Sequence, residues 1–257
     1  MTRFQIRTLV RNLSVAGLAA VSFSGAAFGD SFLASFLGPG VQTPQGITTN
    51  FETFDSITPG STQPFTTNFN GSSYTGTYSG DVNWNAANQF GGAGGTGTYP
   101  VTFTDSGYTL TLNKGANYFG LWISALDLGN VLQFFNNGTL VDSFTPADLI
   151  KLVGNCPGGA FCGNPNSSFL HDNASQQYAY VNFFDESGAF NTIVFSELNH
   201  LGGFESDNQA VAMLSAPPGG TPITTLPEPA MLAFSGLVFL AAYAGLKRLR
   251  RNYKRHY

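Results

Sequence analysis

The chain has 257 residues, 42% hydrophobic, 14% aromatic and only 10% charged, with a formal net charge of −4. Arg3, Arg7 and Arg11 open it and Lys247, Arg248, Arg250, Arg251, Lys254 and Arg255 close it, leaving Lys114 and Lys151 as the only Lys or Arg in a long acidic middle. Such a middle excludes a nucleic-acid-binding surface, which needs cations against phosphate, and the aromatic content argues for a packed core over a disordered chain.

Residues 1–29 predict a secretory signal peptide. The three arginines precede an apolar run from Leu13 to Phe23, and small residues follow at 24–29. Ala27-x-Gly29 suits the small-residue pockets of a signal peptidase and would leave Asp30 as the new N-terminus; Gly25-x-Ala27 is the competing cleavage choice.

Residues 30–214 read as one extracellular domain dominated by strand signals. Within 68–84, Tyr74, Tyr78, Val82 and Trp84 fall at even spacing. Segments 98–103 and 108–112 flank Asp105-Ser106-Gly107 and predict a hairpin. Residues 118–123 are apolar on both faces and predict a central, buried strand that includes Trp122. Segments 131–135 and 140–144 flank Asn136-Asn137-Gly138, whose Asn-Gly supplies the positive φ angles of a tight hairpin. Thr145-Pro146-Ala147-Asp148 predicts one short helix to about residue 152, with Thr145 as its cap and Pro146 at its first position. Strands at 178–184, 191–195 and 210–214 complete about nine or ten. Short strands with Gly- and Asn-rich turns predict an all-β fold, a jelly-roll-like β-sandwich.

The two cysteines, Cys156 and Cys162, enclose a Gly-rich stretch, and in an exported chain they predict a disulfide. Gly92-Ala93-Gly94-Gly95-Thr96-Gly97 matches a dinucleotide fingerprint in letters alone; a strand follows it where that motif needs a helix, so it reads as a turn. Residues 215–225, with Pro217, Pro218, Gly219 and Gly220, predict an extended, flexible linker.

Residues 226–257 carry three features in order. Pro227-Glu228-Pro229 comes first, then an uncharged run from Ala230 to Leu246, then a basic cluster. As a helix, the run of residues 230–246 would reach the short limit for spanning a bilayer, with the cations held on the cytoplasmic side. This tail resembles the PEP-CTERM sorting signal of exosortase-dependent surface proteins in Gram-negative bacteria. The resemblance implies that Pro227, Glu228 and Pro229 form the element an exosortase reads, and that the helix anchors the chain in the inner membrane only until it is processed. The sequences around 118–127, 136–138 and 204–208 also look like the core of such proteins, whose expected setting is an exopolysaccharide matrix at the cell surface.

Catalytic constellations are not expected. Asp185-Glu186 and the pair Glu205 and Asp207 could be nominated as glycosidase carboxylates, yet acids in an acidic domain read first as solvated surface, and no nucleophile motif accompanies them. The expected role is non-enzymatic, with a secreted glycan hydrolase as the least favoured alternative. Glu52 and Asp55 near the start of the domain and Glu205 and Asp207 near its end alternate with apolar residues, which suggests carboxylates from first and last strands converging on a structural Ca²⁺. That pattern resembles the calcium-supported jelly rolls of carbohydrate-binding modules. In that reading Trp84, in a polar stretch, is the expected glycan-stacking platform and Trp122 is core.

Overall fold

The computed structural model describes residues 32–103, 105–198 and 202–223. Among them are fourteen strands: β1 (Phe32–Phe36), β2 (Phe51–Glu52), β3 (Phe65–Thr67), β4 (Gly76–Gly80), β5 (Asn83–Ala86), β6 (Thr98–Phe103), β7 (Ser106–Ala116), β8 (Tyr118–Leu126), β9 (Asn130–Asn136), β10 (Thr139–Phe144), β11 (Gln177–Asp185), β12 (Phe190–Glu197), β13 (Gly203–Ala212) and β14 (Thr221–Pro222). One α-helix, α1 (Ala147–Val153), lies between β10 and β11. The signal peptide and the sorting tail, with Pro227, Glu228 and Pro229, lie outside the described residues.

Two antiparallel sheets make the sandwich. The larger runs β14-β1-β11-β8-β13-β6-β5, with β2 also paired to β13; the smaller runs β10-β9-β12-β7-β4-β3. The expected sandwich is present. Between the sheets lies a core unusually rich in rings, including Phe54, Phe69, Tyr78, Trp84, Tyr108, Phe119, Phe134, Phe183 and Phe195. Tyr108 stacks on Phe195 with ring centroids 4.3 Å apart.

The central strands of the larger sheet are buried on both faces. Every residue of β8, β11 and β13 is buried, which is why 118–123 carries no alternation. The second face is covered by two connections, β1–β2 and β5–β6, which pack Leu37, Val41 and Ala93 against Trp122, Tyr178 and Tyr180. Trp122 is therefore core, as expected, but of this outer layer and not of the space between the sheets. Bulges set which side chains reach it. Asn208, at φ 48°, shifts the register of β13 between Asp207 and Ala210. Asn tolerates this left-handed backbone better than most residues. Before the bulge Ser206 faces the core and accepts or donates at 3.1 Å with the Tyr108 hydroxyl; after it Gln209 does, accepting from the Tyr78 hydroxyl at 2.8 Å. Glu205 and Asp207 are left on the outer face.

The β9–β10 hairpin forms as expected, with Asn137 and Gly138 at φ 48° and 82°. Four expectations are corrected. Strands β6 and β7 do not form a hairpin: β6 joins the larger sheet and β7 the smaller, so Asp105-Ser106-Gly107 is a crossing between layers. Thr145 does not cap α1; Pro146 occupies the cap position and no side chain bonds there. The last long strand begins at Gly203, well before residue 210. The linker is not free along its length. Thr221 and Pro222 pair with β1, the Ile223 N–H donates to the Ala34 carbonyl at 2.8 Å, and Ile223 is buried in the core.

Candidate functional site

The residues nominated from sequence fall in different places. Cys156 and Cys162 form a disulfide across a sequence separation of 6, in the connection between α1 and β11. Trp84 is fully buried between Phe54, Phe65 and Tyr78, and its indole N–H donates to the Gln63 carbonyl at 3.1 Å. It offers no stacking surface, and that expectation is overturned: the even spacing that marks β4 and β5 turns Trp84 inward with Tyr78. Asp185 is also buried, and its Oδ1 accepts from the N–H groups of Ser187 (3.0 Å) and Gly188 (2.7 Å), shaping the turn into β12. Its neighbour Glu186 is exposed.

The four acids proposed for calcium divide into two groups. β2 does pair with β13, Glu52 lying opposite Gln209, so start and end of the domain meet as expected. Burial pushes the Asp207 carboxyl well up; the N–H groups of Ala93 and Asn208, each at 2.7 Å, pull it back, and Asp55 and Glu52 lie close enough to raise it further. Glu205 keeps other company. Burial pushes its carboxyl up to about 8, its own backbone N–H opposes this, and repulsion from Asp127 and Glu197 adds to it. Among the described residues no three Asp, Glu, His or Cys side chains stand close enough to hold one metal ion. The single four-carboxylate calcium site is therefore not assembled: Glu205 lies opposite Val101 of β6 and Ser124 of β8, two residues further along β13 from Gln209, where Glu52 pairs, than Asp207 does.

What Glu52 does instead is hold backbone. Its Oε1 accepts from the Phe54 N–H at 2.7 Å and its Oε2 accepts from the Thr67 hydroxyl, while Thr67 Oγ1 accepts from the Phe69 N–H at 2.8 Å. This relay clamps two tight turns. Phe54 (φ 56°), Phe69 (φ 46°) and Asn70 (φ 58°) all stand in the left-handed region, which costs a residue with a Cβ roughly 1–2 kcal/mol. The two phenyl rings are fully buried, and their burial offsets that strain. Gly97 allows the approach of Asp55: a Cβ there would fall 1.6 Å from Asp55 Oδ1.

Between the two turns runs an open groove of about 600 Å³, along the side where β2 of one sheet faces β3 of the other. It is lined by half-buried Phe65 and by Thr53, Asp55, Asn68, Asn70 and Thr75, among others. Strained backbone gathers at binding and catalytic sites because surrounding structure must hold it there. Sequence reasoning named Glu52 and Asp55 but not the groove; a Phe-Asn-Gly run at 69–71 was the available signal, since Asn-Gly favours positive φ.

No protein-family model matches the chain, and no curated protein matches it. Among solved structures, the K2 cleaved adhesin domain of Lys-gingipain aligns with 16% identity and a TM-score of 0.37, over 64% of this chain and 97% of that one.

Proposed function

We propose that the chain is a non-enzymatic, exported cell-surface or extracellular-matrix protein, carried out by its signal peptide and sorted by an exosortase at Pro227-Glu228-Pro229. The observation that carries this reading is the order of three features at the C-terminal end: the Pro-Glu-Pro element, the apolar run from Ala230 to Leu246, and the basic cluster. A disulfide-bearing β-sandwich with few surface cations is consistent with life outside the cytosol. Signal peptidase and exosortase are the partners during export, and the exopolysaccharide matrix is the destination. The test is the mass and both termini of the mature protein recovered from its host. A chain starting at Asp30 and ending near residue 229 is expected; one that keeps residues 230–257 would count against exosortase processing.

A second reading, a carbohydrate-binding module, is favoured by the groove beside Glu52, whose mixture of a ring, hydroxyls and amides suits a saccharide. Glycan binding by the purified chain distinguishes it from a purely structural role.

A further inference from the structure

The groove between the two strained turns has a composition that selects a ligand class. Glu52 and Thr67 are occupied in holding the turns, so they are not available to a ligand. Five other side chains along the groove, Thr53, Asp55, Asn68, Asn70 and Thr75, keep polar atoms unused by described neighbours: the Asp55 carboxylate, the Asn68 and Asn70 amide N–H groups and the Thr53 and Thr75 hydroxyls. Phe65 supplies the one ring of the lining, held by its packing against Phe54, Tyr78 and Trp84. Donors and acceptors beside an apolar ring match a molecule that alternates hydroxyls with C–H surfaces. The groove volume is in the ~300–1,000 Å³ range of ligand sites.

Charge narrows the class further. Asp55 and Glu52 both line the groove, close enough to Asp207 to act on its carboxyl. Lys114 is engaged elsewhere, donating to Ser73 at 2.9 Å and lying 4.3 Å from the Tyr74 ring centroid. A carboxylated or sulfated ligand would meet repulsion here and find no cation in the groove wall.

We propose that this groove is a binding subsite for a segment of neutral polysaccharide, held by hydrogen bonds to the Asp55 carboxylate and from the Asn68 and Asn70 amides and the two threonine hydroxyls, beside the Phe65 ring. The proposal rests on the carbohydrate-binding reading above and replaces its stacking platform, Trp84, by a hydrogen-bonding cleft. The strained turns have a role in it: they bury Phe54 and Phe69 while presenting Thr53, Asp55, Asn68 and Asn70 on one surface, so little ordering is left to be done on binding.

The experiment is affinity electrophoresis or calorimetry of the full-length chain in detergent, against neutral glucan, galactan, mannan and xylan, with alginate as the anionic comparison. At least one neutral glycan should bind, and alginate should bind at least tenfold more weakly. Thr75→Trp, at an exposed groove position, should weaken neutral-glycan binding tenfold or more with an unchanged melting temperature. Asp55→Asn should narrow the gap between alginate and the neutral glycan. Binding that survives Thr75→Trp, or alginate bound as tightly as the neutral glycans, overturns the site while leaving a carbohydrate-binding protein. No binding to any glycan, the host's own polysaccharide included, removes the carbohydrate-binding reading as well.

Discussion

Gly120 occupies the middle of a strand in which every residue is buried, a position where glycine ordinarily weakens a sheet. The outer layer explains it. The Tyr118 hydroxyl donates to Asn182 Oδ1 at 2.9 Å and the Tyr180 hydroxyl to the Asn208 carbonyl at 3.3 Å. A Cβ at 120 would fall 2.2 Å from the first oxygen and 2.7 Å from the second. Neither ring can swing into solvent, because both are fully buried. Gly120→Ala should therefore destabilise the domain by about 1–3 kcal/mol, the usual range for overpacking. Urea unfolding should show a lower midpoint at unchanged slope. Adding Tyr118→Phe removes the nearest oxygen and should recover part of the loss; a double variant no better than the sum of its parts would place the strain elsewhere.

Among the elements, the last short strand changes how the domain ends. Ile223 is buried in the core and bonded to β1, so β14 closes the edge that β1 would otherwise leave open. Ile223→Ala should cost about 2–3 kcal/mol, toward the low end for a buried Ile because a short edge element can relax. It should also expose residues 215–223 to limited proteolysis. Protection equal to wild type would mean that β14 contributes nothing to closing that edge. The Cys156–Cys162 link closes a short loop, so replacing both by Ser should cost only about 2 kcal/mol and leave the fold intact. These elements also show what sequence reveals. The β9–β10 hairpin was legible because Asn137-Gly138 dictates its turn locally, and β8 was legible because burial on both faces writes itself as a continuous apolar run. The supposed hairpin at Asp105-Ser106-Gly107 was not, because nothing in a turn says which sheet the next strand will join. Strands β2 and β3, of two and three residues, are too short to show a period. The groove between them arises only when the sheets are packed. Its Glu52 was found for the sake of its charge, and its work as a backbone clamp depends on Thr67, fifteen residues away.

For the molecule as a whole, the scarcity of cations has a thermodynamic consequence. Folding buries Glu197, Glu205 and Asp207 and half-buries Asp127, while Lys114 lies over Tyr74 and Lys151 pairs with Asp148 at 3.1 Å. Neither lysine neutralises the interior acids. Burial raises the carboxyls of Asp127, Glu205 and Asp207, and in Glu205 repulsion from its acidic neighbours adds to it. Folding thus favours the protonated form of these groups, reversing the common case in which ion-paired carboxylates lose stability in acid. For Glu205 the window runs from its ordinary value of 4.5 to about 8. Below 4.5 the group is protonated folded or unfolded and its contribution is complete. As pH rises toward 8 the unfolded chain ionises freely and the folded one does not, so stability falls, by up to about 5 kcal/mol at one pKa unit per 1.36 kcal/mol. Melting in EDTA should accordingly give a higher midpoint at pH 5 than at pH 8, and Glu205→Gln, which cannot ionise, should shrink the difference. Because no three acidic, His or Cys side chains among the described residues stand close enough to grip one ion, Ca²⁺ added at pH 8 should leave the midpoint where it is. A midpoint that is equal or higher at pH 8 would mean that some counter-charge reaches the buried acids. A rise on adding Ca²⁺ would identify that charge as the metal, drawing together carboxylates that the packing of β13 now holds in two separate groups.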